Sequence, residues 1–224
     1  HAIEDLAWRL ASARRPLLWL GGGARHAGAA AARLMRMGFG VVTSTQGRGI
    51  VPEDDSRSLG AYNLHAPVEA FYQTCDALLV VGSRLRGNET LKYQLKLPRP
   101  LMRIDVDPAA DGRCYESEAF VCGDASLTLE ALADALQGRM DVDPAFAGDL
   151  RAAHELARRA LIDGLGPYGQ LVGALQQAAG RDFNWVRDVT VSNSTWGNRE
   201  LRVHAGERVE HAQLPITPGA ARVR

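Results

Sequence analysis

Residues 15–45, RPLLWLGGGARHAGAAAARLMRMGFGVVTST, narrow the possible folds more than any other stretch. Pro16 opens an apolar run, Leu17-Leu18-Trp19-Leu20, which suits a buried strand. Gly21-Gly22-Gly23 follow at once. Three glycines let the backbone take positive φ and let a ligand approach the main chain closely. The alanine-rich residues 27–37 predict a helix, stopped by Gly38 and Gly40, and Val41-Val42 begins a second strand. Strand, glycine turn, helix, strand is the opening unit of a parallel, doubly wound sheet. It sets helix N–H groups over the turn, where a phosphate could sit. The glycines do not follow G-x-G-x-x-G and no Walker lysine comes after them, so spacing alone is equally consistent with a tight turn that binds nothing.

The same alternation continues downstream. Residues 2–13 read as an amphipathic helix with Ile3, Leu6, Ala7 and Leu10 on one side. Residues 65–74 predict a short helix, and 76–81, 101–104 and 119–122 predict further strands. Residues 127–136 predict a helix with Ser126 as its N-cap. Gly21, Thr43, Gly82, Asp105 and Gly123 stand at the ends of the five strands. In a parallel sheet those ends share one edge, so these residues are expected to converge on a single crevice. Residues 1–138 therefore predict one α/β domain built on a doubly wound parallel sheet. Residues 139–168 read as a linker region containing a helix. Residues 169–224 read as the start of an incomplete second α/β domain, with a helix over 169–179, a strand over 185–191 and a tail of no clear period.

Composition excludes several functions. Lys and Arg number 26 and Asp and Glu 26, with no basic stripe, so nothing favours nucleic acid or an anionic membrane. No apolar run approaches the ~20 residues that span a bilayer. Cys75, Cys114 and Cys122 are an odd number without a C-x-x-C, which argues against a disulfide framework or zinc site and for a reducing, cytoplasmic compartment. All three read as buried, inert thiols. Asp105 and Asp107 lie two apart with no third ligand, so no metal site is assigned. No G-x-S-x-G occurs, and no catalytic residue is assigned.

Four segments resemble thiamine-diphosphate-dependent enzymes of the acetolactate synthase-like group. They are RPLLWLGGGARHAG, VVTSTQGRGIVPEDDSRSLG, CDALLVVGSRLRGNET, and PLMRIDVDPAADGRCY with VCGD. In order, they cover residues 15–136, and they resemble the central domain of that family. The resemblance implies an α/β central domain that carries FAD in some members, ADP in others and nothing in many. It implies a parent enzyme, a homodimer or homotetramer, that uses thiamine diphosphate and Mg2+ to decarboxylate a 2-oxo acid. The resulting carbanion would pass to an acceptor or a proton. It also carries over Gly21, Gly22, Thr43, His65, Arg84, Asp105 and Asp124 as cofactor-binding residues. Residues 187–193 resemble the first strand of the C-terminal cofactor-binding domain, and the likeness fades past Arg199.

Neither thiamine-diphosphate motif is expected within the chain. No Gly-Asp-Gly occurs, and the catalytic Glu of the family would lie before His1. The sequence thus reads as a fragment, inactive alone, that starts inside something longer and is frameshifted or truncated near Val209. Leu85-Arg86-Gly87-Asn88 stands where true acetolactate synthases carry Phe-Asp-Asp-Arg, which points to a related decarboxylase or carboligase. Two other readings stay open: a module binding FAD, ADP or NAD without thiamine chemistry, and a central domain that is purely structural.

Overall fold

The computed structural model describes residues 2–180 and 195–201. β1 (Pro16–Leu20), β2 (Gly40–Thr43), β3 (Ala77–Val81), β4 (Leu101–Asp105) and β5 (Ala119–Cys122) form one sheet in the order β2-β1-β3-β4-β5. Every pairing is parallel. Parallel strands covered on both faces must be apolar throughout, and β1 and β3 are buried at every residue. Alternate side chains enter different cores. Leu18 and Leu20 point to one, Leu17 and Trp19 to the other.

Helices α1 (Ala2–Ala11), α2 (Gly28–Arg36) and α4 (Ala125–Leu136) cover the first face. Leu6, Ala7 and Leu10 bury the expected side of α1, and Ile3 packs partly against it. The second face takes α3 (Ala66–Tyr72) and α5 (Phe146–Gly164). Phe146 of α5 stacks on Phe71 of α3 at 5.5 Å. Arg15 fixes that helix further, pairing with Asp143 at 2.8 Å and Asp149 at 2.6 Å while its guanidinium lies 5.2 Å over the Phe146 ring. Helix α6 (Gly169–Ala179) matches the expectation for 169–179. The strand expected over 185–191 lies outside the described residues.

The structure revises four local expectations. Gly21, Gly22 and Gly23 do not use positive φ. Gly21 and Gly23 are required because backbone meets backbone: a Cβ on Gly21 would collide with the Gly82 carbonyl, and one on Gly23 would come within 2.9 Å of Gly82 Cα, whereas one on Gly22 would first meet the Gln46 side chain, at 3.1 Å. Asp124, not Ser126, caps α4, its carboxylate accepting from the Leu127 amide at 2.9 Å. The carboxylate reaches the third amide of the first turn from outside the helix, whereas Ser126 is already inside it. Asp76 precedes β3 rather than opening it, and its carboxylate accepts from the Arg14 and Arg15 amides, each at 2.8 Å, tying β3 to the start of β1. Finally, only Cys75 is buried, while Cys114 and Cys122 are exposed. Burial pushes the Cys75 thiol up to about 12, which keeps it protonated and inert.

One element was not visible in the sequence. Residues 57–60 run alongside β2. The Val41 amide donates to the Arg57 carbonyl, Leu59 N–H donates to Val41, and Thr43 N–H donates to Gly60. The segment covers the edge of β2, which would otherwise present unpaired backbone groups.

Candidate functional site

A strand order of 2-1-3-4-5 reverses direction between β1 and β3, and ligands of doubly wound sheets bind at such a switch point, outside the carboxyl ends of the strands. A crevice of about 580 Å³ opens there. All five strand ends contribute: Gly22 and Gly23 after β1, Ser44 and Gln46 after β2, Gly82, Ser83 and Arg84 after β3, Asp105 and Asp107 at β4, and Gly123 and Asp124 after β5. The volume falls within the roughly 300–1,000 Å³ typical of small-molecule sites.

Of the seven residues singled out from the sequence, Gly22, Arg84, Asp105 and Asp124 line this crevice. Gly21 lies behind it, packed against Gly82 and Ser83. Thr43 is buried, and its hydroxyl makes no hydrogen bond among the described residues. His65 is not on the lining. It stands at the N-terminus of α3, its ring 5.0 Å from that of Tyr62.

Burial, aided by the positive charge of Arg199, lowers the His65 pKa to about 4. Between about pH 6.5 and pH 4 the unfolded chain therefore takes up a proton at this position that the folded chain refuses. Stability contributed by neutral His65 is present above the unfolded pKa and is lost as pH falls toward the folded one. Replacing His65 by Gln should reduce the loss of unfolding free energy in urea between pH 7 and pH 4.5 by about 1 kcal/mol, solvent at the half-buried ring screening the rest. Identical pH profiles for the two proteins would refute the assignment.

Arg25, Arg86, Glu89 and Arg113 also line the crevice and were not picked out from the sequence. Arg25 had a signal, a cation two residues beyond the glycine turn. The others sit in loops whose paths no local pattern fixes. Burial raises the Glu89 carboxyl pKa, against the opposing pull of Arg86. Beneath the β4–β5 wall lies Arg103, wholly buried, donating to the Ala110 carbonyl at 2.6 Å. Burial lowers its pKa, since no solvent is present to support the charge. Its role is to brace the loop that carries Arg113.

The glycine turn itself offers little to a phosphate. The Gly21 amide donates to Val81, the Gly23 amide to Gly82, and the Ala24 amide to Gly21. An anion here must be held by side chains, and Arg25, Arg84 and Arg86 supply guanidiniums suited to a diphosphate. The residues do not fit thiamine diphosphate with its Mg2+. Among the described residues no group of three or more His, Cys, Asp or Glu side chains is placed to hold a metal ion.

Residues 3–132 match the family described as thiamine pyrophosphate enzyme, central domain. Over 174 residues the chain is 36% identical to the probable 2-ketoarginine decarboxylase AruI of Pseudomonas aeruginosa, covering 73% of this chain and 31% of that protein. It is 29% identical over 202 residues to an acetolactate synthase of Mycobacterium avium, covering 84% of this chain and 32% of the relative. Over 140 residues it is 31% identical to acetolactate synthase 1, chloroplastic, of Zea mays, covering 61% and 22% respectively. The chain thus spans about a third or less of the length of these relatives. A parallel sheet in the order 2-1-3-4-5, a crevice at its switch point and a match over residues 3–132 agree: the chain belongs to the thiamine pyrophosphate enzymes, whose central domain it carries.

Proposed function

We propose that the chain is the central portion of a thiamine-diphosphate-dependent 2-oxo acid decarboxylase or carboligase, and that its crevice holds an adenine nucleotide, FAD or ADP. The observation that carries the nucleotide reading is the gathering of Arg25, Arg84 and Arg86 over the β1–β3 switch point, with Asp105 and Asp124 farther along the same crevice. Guanidiniums pair with a diphosphate, and a carboxylate at the end of a strand accepts from ribose hydroxyls. The thiamine diphosphate and Mg2+ sites would then lie elsewhere in the parent, since the chain spans 31% of the length of the Pseudomonas relative. Residues 169–224 would then begin the next domain, and the parent would be a homodimer or homotetramer. Three unpaired cysteines support a cytoplasmic setting.

Calorimetric titration with ADP and with FAD tests the nucleotide reading. Saturable binding is expected. Arg84→Glu should weaken it by about 10- to 100-fold, the value of one charge-assisted contact. No saturable heat with either ligand would overturn it. That outcome would favour a purely structural domain, a reading supported by the backbone engagement of Gly23, Asp105 and Asp124.

A further inference from the structure

The charges that line the crevice are sorted by strand. Over β1 and β3 stand three guanidiniums, Arg25, Arg84 and Arg86, against one carboxylate, Glu89. Over β4 and β5 stand three carboxylates, Asp105, Asp107 and Asp124, against one guanidinium, Arg113. Arg113 already faces Asp107 at 3.6 Å. With strands about 4.8 Å apart, β1 and β4 are separated by about 10 Å. One end of the crevice is therefore cationic and the other anionic, over the length of a small ligand.

The acidic end is held in place. Asp105 accepts from the Asp107 amide at 3.0 Å, and Asp124 accepts from the Leu127 amide at 2.9 Å. Each bond uses one carboxylate oxygen and fixes the orientation of the group, so the second oxygen can accept from a ligand hydroxyl. An anionic substituent in the same place would meet like charges at short range, two of them half-buried, Asp105 and Asp107, and one exposed, Asp124, so that salt screens the repulsion only in part.

From this polarity, and resting on the nucleotide reading, we infer that the crevice selects nucleoside 5′-diphosphates with free ribose hydroxyls and rejects those phosphorylated at the 2′ position. The 5′-diphosphate lies at the arginine end, and the ribose hydroxyls donate to Asp105 and Asp124. A 2′-phosphate has no donor to lose to these carboxylates and adds charge of the wrong sign. The selection operates through repulsion as well as attraction.

The test compares ADP-ribose with 2′-phospho-ADP-ribose by calorimetry, on the chain and on its Asp105→Asn variant. The variant keeps a carbonyl oxygen for the Asp107 amide, so the local turn is preserved. ADP-ribose should bind at least 30-fold more tightly than its 2′-phosphate, and Asp105→Asn should cut that preference at least fivefold. Equal affinities for the two ligands would overturn this inference and leave the nucleotide reading standing. Binding of ADP-ribose with a preference untouched by Asp105→Asn would overturn the role given to Asp105. If ADP-ribose, ADP and FAD all fail to bind, the nucleotide reading falls and this inference falls with it.

Discussion

Gly82→Ala should leave the chain without a stable fold, whereas Gly138→Ala should cost only about 1 kcal/mol. The two positions share a backbone conformation, φ +57° at Gly82 and φ +71° at Gly138. They therefore share the strain that a side chain suffers in the left-handed region. Their surroundings differ. A Cβ on Gly138 meets nothing within 4 Å, but one on Gly82 would lie 2.5 Å from the carbonyl carbon of Gly23 and 2.6 Å from the Ala24 nitrogen. Those neighbours are backbone and cannot rotate away. They belong to the turn after β1, which the Gly23 amide pins to the Gly82 carbonyl at 2.9 Å. Relief would need β1 and β3 to separate at the centre of the sheet, so the expected loss is more than ~4 kcal/mol, beyond what strain alone produces. Denaturant unfolding of both variants would decide the matter. A Gly82→Ala protein within 1 kcal/mol of Gly138→Ala would show that the two turns do not bear on each other.

That contrast shows what the sequence could and could not convey. Strands β1 and β3 were legible because a strand buried on both faces is a short apolar run, and Leu17 and Leu79 sit in such runs; in β4 the apolar Leu101, Met102 and Ile104 carried the signal past Arg103. The helices were legible from period and from their glycine stops. Convergence of the strand ends followed from the geometry of any parallel sheet, and of the five residues expected to converge Gly82, Asp105 and Gly123 line the crevice while Gly21 and Thr43 do not. The reason for the triple glycine was not legible, because positive φ and close backbone approach leave the same residue in the sequence. Nor was the position of His65, which depends on how the chain after Gly60 folds back beside Tyr62. Arg86, Glu89 and Arg113 reach the crevice on irregular loops, where no repeat connects position to direction.

Arg48→Met should destabilise the chain by about 3–5 kcal/mol at pH 7, among the largest effects of any single change of a charged side chain. Arg48 and Glu53 are five residues apart in the connection after β2, yet their side chains are only 2% and 3% exposed. They meet through two bonds, at 2.7 and 2.6 Å. Arg48 also donates to the Gly197 carbonyl at 2.9 Å and to that of Leu201. Glu200, between them, accepts from the Tyr62 hydroxyl at 2.5 Å and from Arg158 at 2.7 Å. Residues 195–201 are thus held to the β2 connection by one buried cation and to the second face of the sheet by one carboxylate. Removing Arg48 takes from the buried Glu53 its two bonds to the guanidinium and deprives two carbonyls of that donor. The variant Arg48→Met/Glu53→Leu removes both charges, so it should recover at least 2 kcal/mol of the sum of the two single losses. Guanidinium chloride unfolding of the four proteins at pH 7 provides the cycle. Additive losses would mean that Arg48 and Glu53 act separately. In that case the bonds of Glu200 to Tyr62 and Arg158 would still hold residues 195–201.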